Sequence, residues 1–348
     1  MSAKYEYEIR IRFNGRARFK PIVGQMRIST AFDQFELGSN MLSISYARSK
    51  RQKPADAFNA TRRERLCELW MLYFSCCGRM PKIKDVAFIS NSELIDVELS
   101  LIGLPDVPKI QSSPIISSEC AERICRSTYR NSLMVSLSFL IASKRKGLDE
   151  FDRFRFLWSS FNPLYNAFSR DRGEWARARN LIISLEEAGL LDKAKEMFID
   201  APSINSRAWR FGDYLAGAQQ VAICQDEGNF RFRNEAAAKA VVSDIDLGTL
   251  EMLARRYQYK QFRAVPLESN YIEQKLSMGA SLGGEEFSFV MRDYLYWLRC
   301  DTMHGNSAYP LFVTAEQQAL QFTLNDCLEE AIVHAIDMIS LLGGPDNA

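Results

Sequence analysis

The chain reads as α+β, with a small β-rich N-terminal domain followed by a long all-helical region. Three observations predict this. Residues 4–13 (KYEYEIRIRF) alternate polar and apolar, the period of a half-buried strand. From Ser117 almost to the end the pattern is helical. Between the two lies Leu104 to Pro114 (LPDVPKIQSSP), rich in proline and serine and therefore read as a linker. The expected division is 1–110 for the β-rich domain, which includes one helix, and 115–348 for the helical domain.

In the first strand Tyr5, Tyr7, Ile9 and Ile11 share one face. Asn14-Gly15 follows, a strong short-range hairpin signal, which makes RARFKPIVG the expected partner of the first strand. MRIST and, after Gly38-Ser39-Asn40, MLSISYA extend this to three or four short antiparallel strands. A basic loop runs from Arg48 to Lys53. Leu66, Leu69, Trp70 and Tyr73 then recur at helical spacing, so a helix is expected over Arg62 to Cys77, ended by Met80-Pro81. Two further strands are expected, at AFIS near residue 88 and LIDVELSLIGL near residue 98.

In the helical region Ser118 is the expected cap of a helix reaching Lys146. Leu148 to Ser169 forms the next, carrying Phe151, Phe154, Phe156, Trp158, Phe161, Tyr165 and Phe168. These rings cover more than one helix face, the pattern of a core helix and not of a base-stacking platform. Arg172 to Phe198 gives one or two more helices, with further helical signals at Leu250 to Tyr257 and Tyr271 to Met278. Ser281-Leu282-Gly283-Gly284 breaks the chain before another helix. The last helix spans about Ala315 to Leu342 and stops at Gly343-Gly344-Pro345. There is no internal repeat or low-complexity tract.

The 348 residues are 47% hydrophobic and 25% charged, ordinary for a soluble globular protein. The net charge of +1 hides an asymmetry, since residues 1–65 hold 14 Lys and Arg against six Asp and Glu. That excess fits an anionic partner such as RNA or DNA, and equally a solvated basic surface. The eight cysteines are scattered without a Cys-x-x-Cys pair, and the chain opens without a signal peptide, so free thiols in a reducing cytoplasm are expected. The longest apolar run, Leu133 to Ala142, is far short of the roughly 20 residues that span a bilayer, so no membrane partner is expected.

Several chemistries lack their residues. Neither a phosphate loop nor a dinucleotide-binding Gly-x-Gly-x-x-Gly after a strand occurs. Two histidines and dispersed cysteines build no zinc-type site, so neither metal nor cofactor is expected. Gly279-Ala280-Ser281-Leu282-Gly283 matches a nucleophile elbow in letters, but a helical segment precedes it where a strand is needed.

One stretch does carry chemistry: Tyr294-Leu295-Tyr296-Trp297-Leu298-Arg299-Cys300-Asp301-Thr302-Met303-His304-Gly305-Asn306, an apolar helix ending in a rare histidine and a glycine stop. Cleaving RNA without a metal needs a base for the ribose 2′-hydroxyl, an acid for the leaving 5′-oxygen and a cation for the phosphorane. Histidine titrates near neutral pH, and arginine offers a permanent charge in a forked donor. Five residues on an ideal helix rotate by about 140° and rise about 7.5 Å, so Arg299 and His304 do not share one face of a single helix. Two copies across a dimer would supply the second acid or base.

The stretch Tyr296 to Asn306 resembles the signature of HEPN domains, an arginine followed after four to six residues by histidine. Phe156-Leu157-Trp158-Ser159-Ser160-Phe161-Asn162-Pro163-Leu164-Tyr165-Asn166 is similar to an aromatic helix of bacterial members. The resemblance covers about residues 117–342. It implies a HEPN-like helical bundle that dimerises around a composite cleft, and a metal-independent endoribonuclease of the kind frequent in phage defence and toxin-like growth arrest. It makes His304 the acid–base residue, Arg299 the phosphate-binding residue, Asp301 their orienting partner and Asn306 a phosphate contact, with Asn162 a helix-packing residue. The β-rich domain would then recognise a protein or nucleic-acid trigger, or RNA. Some family members are inactive scaffolds, which leaves a non-catalytic binding module as the alternative.

Overall fold

A computed structural model describes residues 5–14, 19–28, 31–91, 93–102, 110, 113–171, 173–201, 223–226, 229–232, 286–303 and 314–343. These are α+β. The chain divides into two compact units, one of residues 1–177 with 332–348 and the other of residues 178–331.

The first unit is built on a six-stranded antiparallel sheet of β1 Tyr5–Asn14, β2 Ile22–Ile28, β3 Ala31–Leu37, β4 Met41–Arg48, β5 Lys82–Ser90 and β6 Glu93–Asp96. The spatial order is β2-β3-β4-β1-β5-β6. The first strand is therefore central, with Tyr7, Ile9, Ile11 and Phe13 buried on its inner face. This corrects the hairpin expected at Asn14-Gly15. β1 pairs with β4 from Tyr5↔Arg48 to Arg12↔Met41 and with β5, while the segment after Asn-Gly, β2, pairs with β3 instead. The physical reason is that two long non-local ladders occupy both edges of β1, which outweighs a local turn preference. Strand β3 is the least legible in the sequence, because Asp33 takes an inward position where the alternation calls for an apolar residue. Near residue 98 the expected strand is shorter than predicted: β6 ends at Asp96 and a 3-10 turn follows at Leu99–Leu101.

The short helix α1 (Pro54–Ala57) leads into α2 (Ala60–Cys77). Asn59 caps α2 by accepting from the Arg62 N–H. Gly78, in the left-handed region at φ 70°, ends it two residues before the expected Met80-Pro81 stop. Helix α2 lays Leu66, Leu69, Trp70 and Tyr73 into the core. The helix expected from Ser118 to Lys146 is two helices, α3 (Ser118–Arg126) and α4 (Arg130–Ala142), and the cap is Ser117, which accepts from the Cys120 N–H. The corner between them is fixed locally. The Ser127 hydroxyl accepts from the Tyr129 N–H, the Thr128 N–H donates to the Gly343 carbonyl, and a Cβ on Gly343 would collide with the Ser127 hydroxyl.

Helices α3 and α4 belong with the sheet. Gly24 of β2 lies close against Phe35 and Cys125, and Arg130 bridges to Glu68 of α2. Helix α5 (Glu150–Phe168), capped by Asp149, packs on α4 through the Ser136–Ser160 hydroxyl pair at 3.0 Å. Its Phe154, Trp158, Phe161 and Tyr165 are buried. Asn162 is half-buried and accepts from Asn166, an intrahelical bond on the outer side.

The second unit holds most of α6 (Glu174–Glu187), α7 (Asp192–Ile199), a hairpin of β7 (Ile223–Asp226) and β8 (Asn229–Phe232), a helical turn at Phe287–Phe289 that runs through Val290–Tyr294 into α8 (Leu295–Met303), and the start of α9 (Ala315–Leu342). The hairpin corrects the expectation of an all-helical region after residue 115. Ile223 pairs with Phe232 and Gln225 with Phe230 in an antiparallel register. The helical signals at 250–257 and 271–278, and most of the linker at 104–114, lie outside the described residues. No helix among the described residues is long and apolar enough to cross a membrane.

Candidate active-site helix

The arginine–histidine stretch begins on a helix with an irregular approach. Val290–Tyr294 forms a π turn, in which the Leu295 N–H reaches back to the Val290 carbonyl. A π turn accommodates one extra residue within an α-helix and is found frequently at functional sites. Here it is pinned to α6 by two ion pairs of opposite sense. Arg292 binds Glu186, and Asp293 lies 3.9 Å from Arg179. Glu186 and Arg179 are seven residues apart and so share one face of α6, about two turns from each other. The apolar face of the segment is buried through Val290, Met291, Tyr294, Leu295 and Leu298. The orientation of α8 is thereby set by core packing on one side and by salt bridges on the other.

Arg299 sits half-buried in α8, and its guanidinium lies over the Tyr296 ring at 5.9 Å, one turn back along the helix. Its Nη1 also donates to the Cys300 Sγ at 3.8 Å. A guanidinium over an aromatic face is held by the ring quadrupole while its outer edge remains a donor. Thr302 is one turn on from Arg299, on the same face, and is 3% exposed. Its hydroxyl has no hydrogen-bond partner among the described residues. Asp301 is a residue of α8. His304 and Asn306 lie outside the described residues.

The cysteines supply no nucleophile in the buried core. Burial pushes the thiols of Cys76, Cys120, Cys125 and Cys327 up to about 12, so all four are neutral at physiological pH. Among the described residues no group of three or more His, Cys, Asp and Glu side chains is placed to hold a metal ion.

A second polar constellation lies in the sheet unit, and the sequence reading did not single it out. Asp33, wholly buried on the inner face of β3, takes Arg62 Nη2 at 2.7 Å on one carboxylate oxygen and Arg48 Nη2 at 2.5 Å on the other. Arg62 Nη1 also donates to the Ala57 carbonyl. Both guanidiniums lie over the Tyr46 ring, Arg62 at 4.3 Å and Arg48 at 4.7 Å. Tyr46 in turn stacks on Tyr7 at 5.3 Å, and Tyr7 on Phe88 at 5.5 Å. Burial pushes the Tyr46 phenol up to about 12. The one sequence signal was the charged residue at an inward strand position, and it identifies its partners only once α2 is folded over the sheet.

Compared with known protein families, with characterised proteins and with solved structures, the chain matches none.

Proposed function

We propose that the chain is a metal-independent endoribonuclease of the HEPN type, with its helical part forming a HEPN-like bundle that dimerises. The ribose 2′-oxygen attacks the adjacent phosphorus while a base removes its proton. The new O–P bond displaces the 5′-oxygen, which leaves with a proton from an acid. The products are a 2′,3′-cyclic phosphate and a 5′-hydroxyl. His304 is the acid–base residue, Arg299 carries the charge of the phosphorane, Asp301 orients them and Asn306 contacts the phosphate. A second His304, from the other copy, supplies the complementary proton transfer. The reading extends to a role in phage defence or toxin-like growth arrest.

The observation that carries the proposal is the support under Arg299. Its helix is anchored by buried apolar residues and by the Arg292–Glu186 pair, and its guanidinium is presented from an aromatic face in the turn just before His304. A phosphate-binding cation gains most when its position is fixed before the charge develops. Purified protein is expected to cleave single-stranded RNA in EDTA and leave cyclic phosphate ends. Equal cleavage by wild type and His304→Ala would defeat the reading.

The second reading is a non-catalytic scaffold of the same fold, whose sheet unit docks a protein or nucleic acid. The observation that favours it is the packing of Arg299 on its own helix through Tyr296, a structural use of arginine. Expression separates the two. A ribonuclease slows growth and Arg299→Ala relieves it, whereas a scaffold is tolerated in both forms.

A further inference from the structure

The Asp33 constellation carries more positive than negative charge. One carboxylate faces two guanidiniums, and one of these, Arg62, is 0% exposed. Buried ionic groups are ordinarily balanced, because an uncompensated charge away from water is costly. Asp33 has both oxygens engaged, so it offers no further compensation. Tyr46, itself 6% exposed, holds a buried hydroxyl with no hydrogen-bond partner among the described residues. That hydroxyl stays protonated across the physiological range and is a donor in want of an acceptor. Arg48 is the solvent-side member of the pair, with 18% of its side chain exposed, and gives Nη2 to Asp33 and Nη1 to the Ala47 carbonyl.

The chain leaves this cluster through the basic loop. Lys50, Arg51 and Lys53 are exposed there within five residues of Arg48. The loop is not a loose tail. The Tyr7 hydroxyl accepts from the Gln52 N–H at 2.8 Å and donates to the Lys50 carbonyl, and the Lys53 N–H is held by Asp56. Tyr7 stacks on Tyr46, so the aromatic pair that carries the two arginines also anchors the loop.

We infer that Arg48, with the Lys50–Lys53 loop beside it, forms a phosphate-binding site for the backbone of single-stranded RNA. A phosphate supplies the negative charge that the cluster lacks. Three exposed cations in sequence extend the site beyond one phosphate, which selects a polyanion over a single phosphate ion. The choice of RNA rests on the ribonuclease reading above; the anionic character of the ligand does not.

The test uses the full chain carrying His304→Ala, so that bound RNA is not consumed, and a short fluorescein-labelled single-stranded RNA read by anisotropy. Arg48→Met leaves Asp33 paired with Arg62, so the sheet is retained, and it is expected to weaken binding about tenfold. Replacing Lys50, Arg51 and Lys53 together by alanine is expected to flatten the dependence of log affinity on log salt by about 2, from three phosphate contacts on a single strand. Tyr46→Phe removes a hydroxyl sealed from solvent and is expected to leave binding at the parental level while the thermal midpoint stays level or rises. Parental affinity and salt slope in Arg48→Met and in the triple variant overturn the site. Tight binding of inorganic phosphate by calorimetry without binding of the RNA overturns the assignment to a nucleic-acid backbone. RNA held through these residues by a chain that never cleaves leaves this inference standing and defeats only the catalytic reading.

Discussion

Arg62 and Arg299 are both arginines set over tyrosine rings, and they are used in opposite ways. Arg62 is completely buried, 4.3 Å from the Tyr46 ring, with its donors given to Asp33 and to the Ala57 carbonyl. Arg299 is half-buried, 5.9 Å from the Tyr296 ring, on a helix seated by its buried apolar residues. The first makes an inward aspartate tolerable in a sheet core. The second takes its position from a helix that other residues hold. Removing the first should therefore be felt as stability, and removing the second as function.

The largest expected effect is on Arg62. Arg62→Ala leaves Asp33 buried with Arg48 alone and opens a void beneath Tyr46. A loss of about 3 kcal/mol is expected, measured by denaturant unfolding of the chain. The double change Asp33→Leu with Arg62→Met removes the buried charges together and should recover most of that loss, because an apolar pair of similar volume commonly matches a buried ion pair. Failure of the double variant to recover would mean that the cluster holds the α1–α2 entry by its hydrogen bond to Ala57 more than by its charge.

Arg299→Ala is expected to change stability by less than about 1 kcal/mol, since the side chain is partly in water and its ring contact is with its own helix. Cleavage of RNA, in contrast, should fall by about 10²–10³, the usual cost of removing one donor to a developing oxyanion. Arg299→Lys keeps the charge and loses the fork, and should fall between the two. A large stability loss with unchanged cleavage would put Arg299 in the same class as Arg62 and remove the contrast.

The contrast also explains what was legible in the sequence. Alternation in KYEYEIRIRF and helical spacing at Leu66, Leu69, Trp70 and Tyr73 follow directly from burial of one face, so the α+β class and most helices could be read. The bounds of helix α9 are legible because a long apolar stripe, from Leu320 through Leu324, Leu328, Ala331, Ile332 and Ala335 to Ile339, outweighs the few buried polar residues on it, and Gly343 follows its end. The order of the sheet was not readable. Which edge β1 offers to which partner is decided by ladders 29 to 83 residues apart in sequence, and the local Asn14-Gly15 signal pointed the other way. Asp33 hid β3 for the same reason that it matters: a charge on the inner face makes sense only with Arg62, which arrives from another element. At the candidate site the sequence marked Arg299, Asp301, His304 and Asn306 by type and spacing. The π turn and the buried hydroxyl of Thr302 left no such mark, because each depends on how the helix is seated.

The smallest expected effect, and the one that separates the two uses of polar groups most finely, is at Thr302. Its hydroxyl is buried one turn from Arg299 without a hydrogen-bond partner among the described residues. A hydroxyl in that position costs free energy on the order of 1 kcal/mol or more relative to an apolar group of the same shape. Valine keeps the branched outline and the helical rotamer preference, so Thr302→Val should raise stability by about 1 kcal/mol if the hydroxyl is only tolerated. The Asp33 side chain shows that this chain does bury a polar group next to arginine where a second charge gives a reason. If Thr302 belongs to that class, Thr302→Val will gain the same stability and yet lose RNA cleavage, with the loss in kcat and not in KM, because the hydroxyl is then matched to an oxygen that becomes charged only during the reaction. Gain of stability with unchanged cleavage assigns Thr302 to packing and leaves Arg299 as the polar contribution of α8.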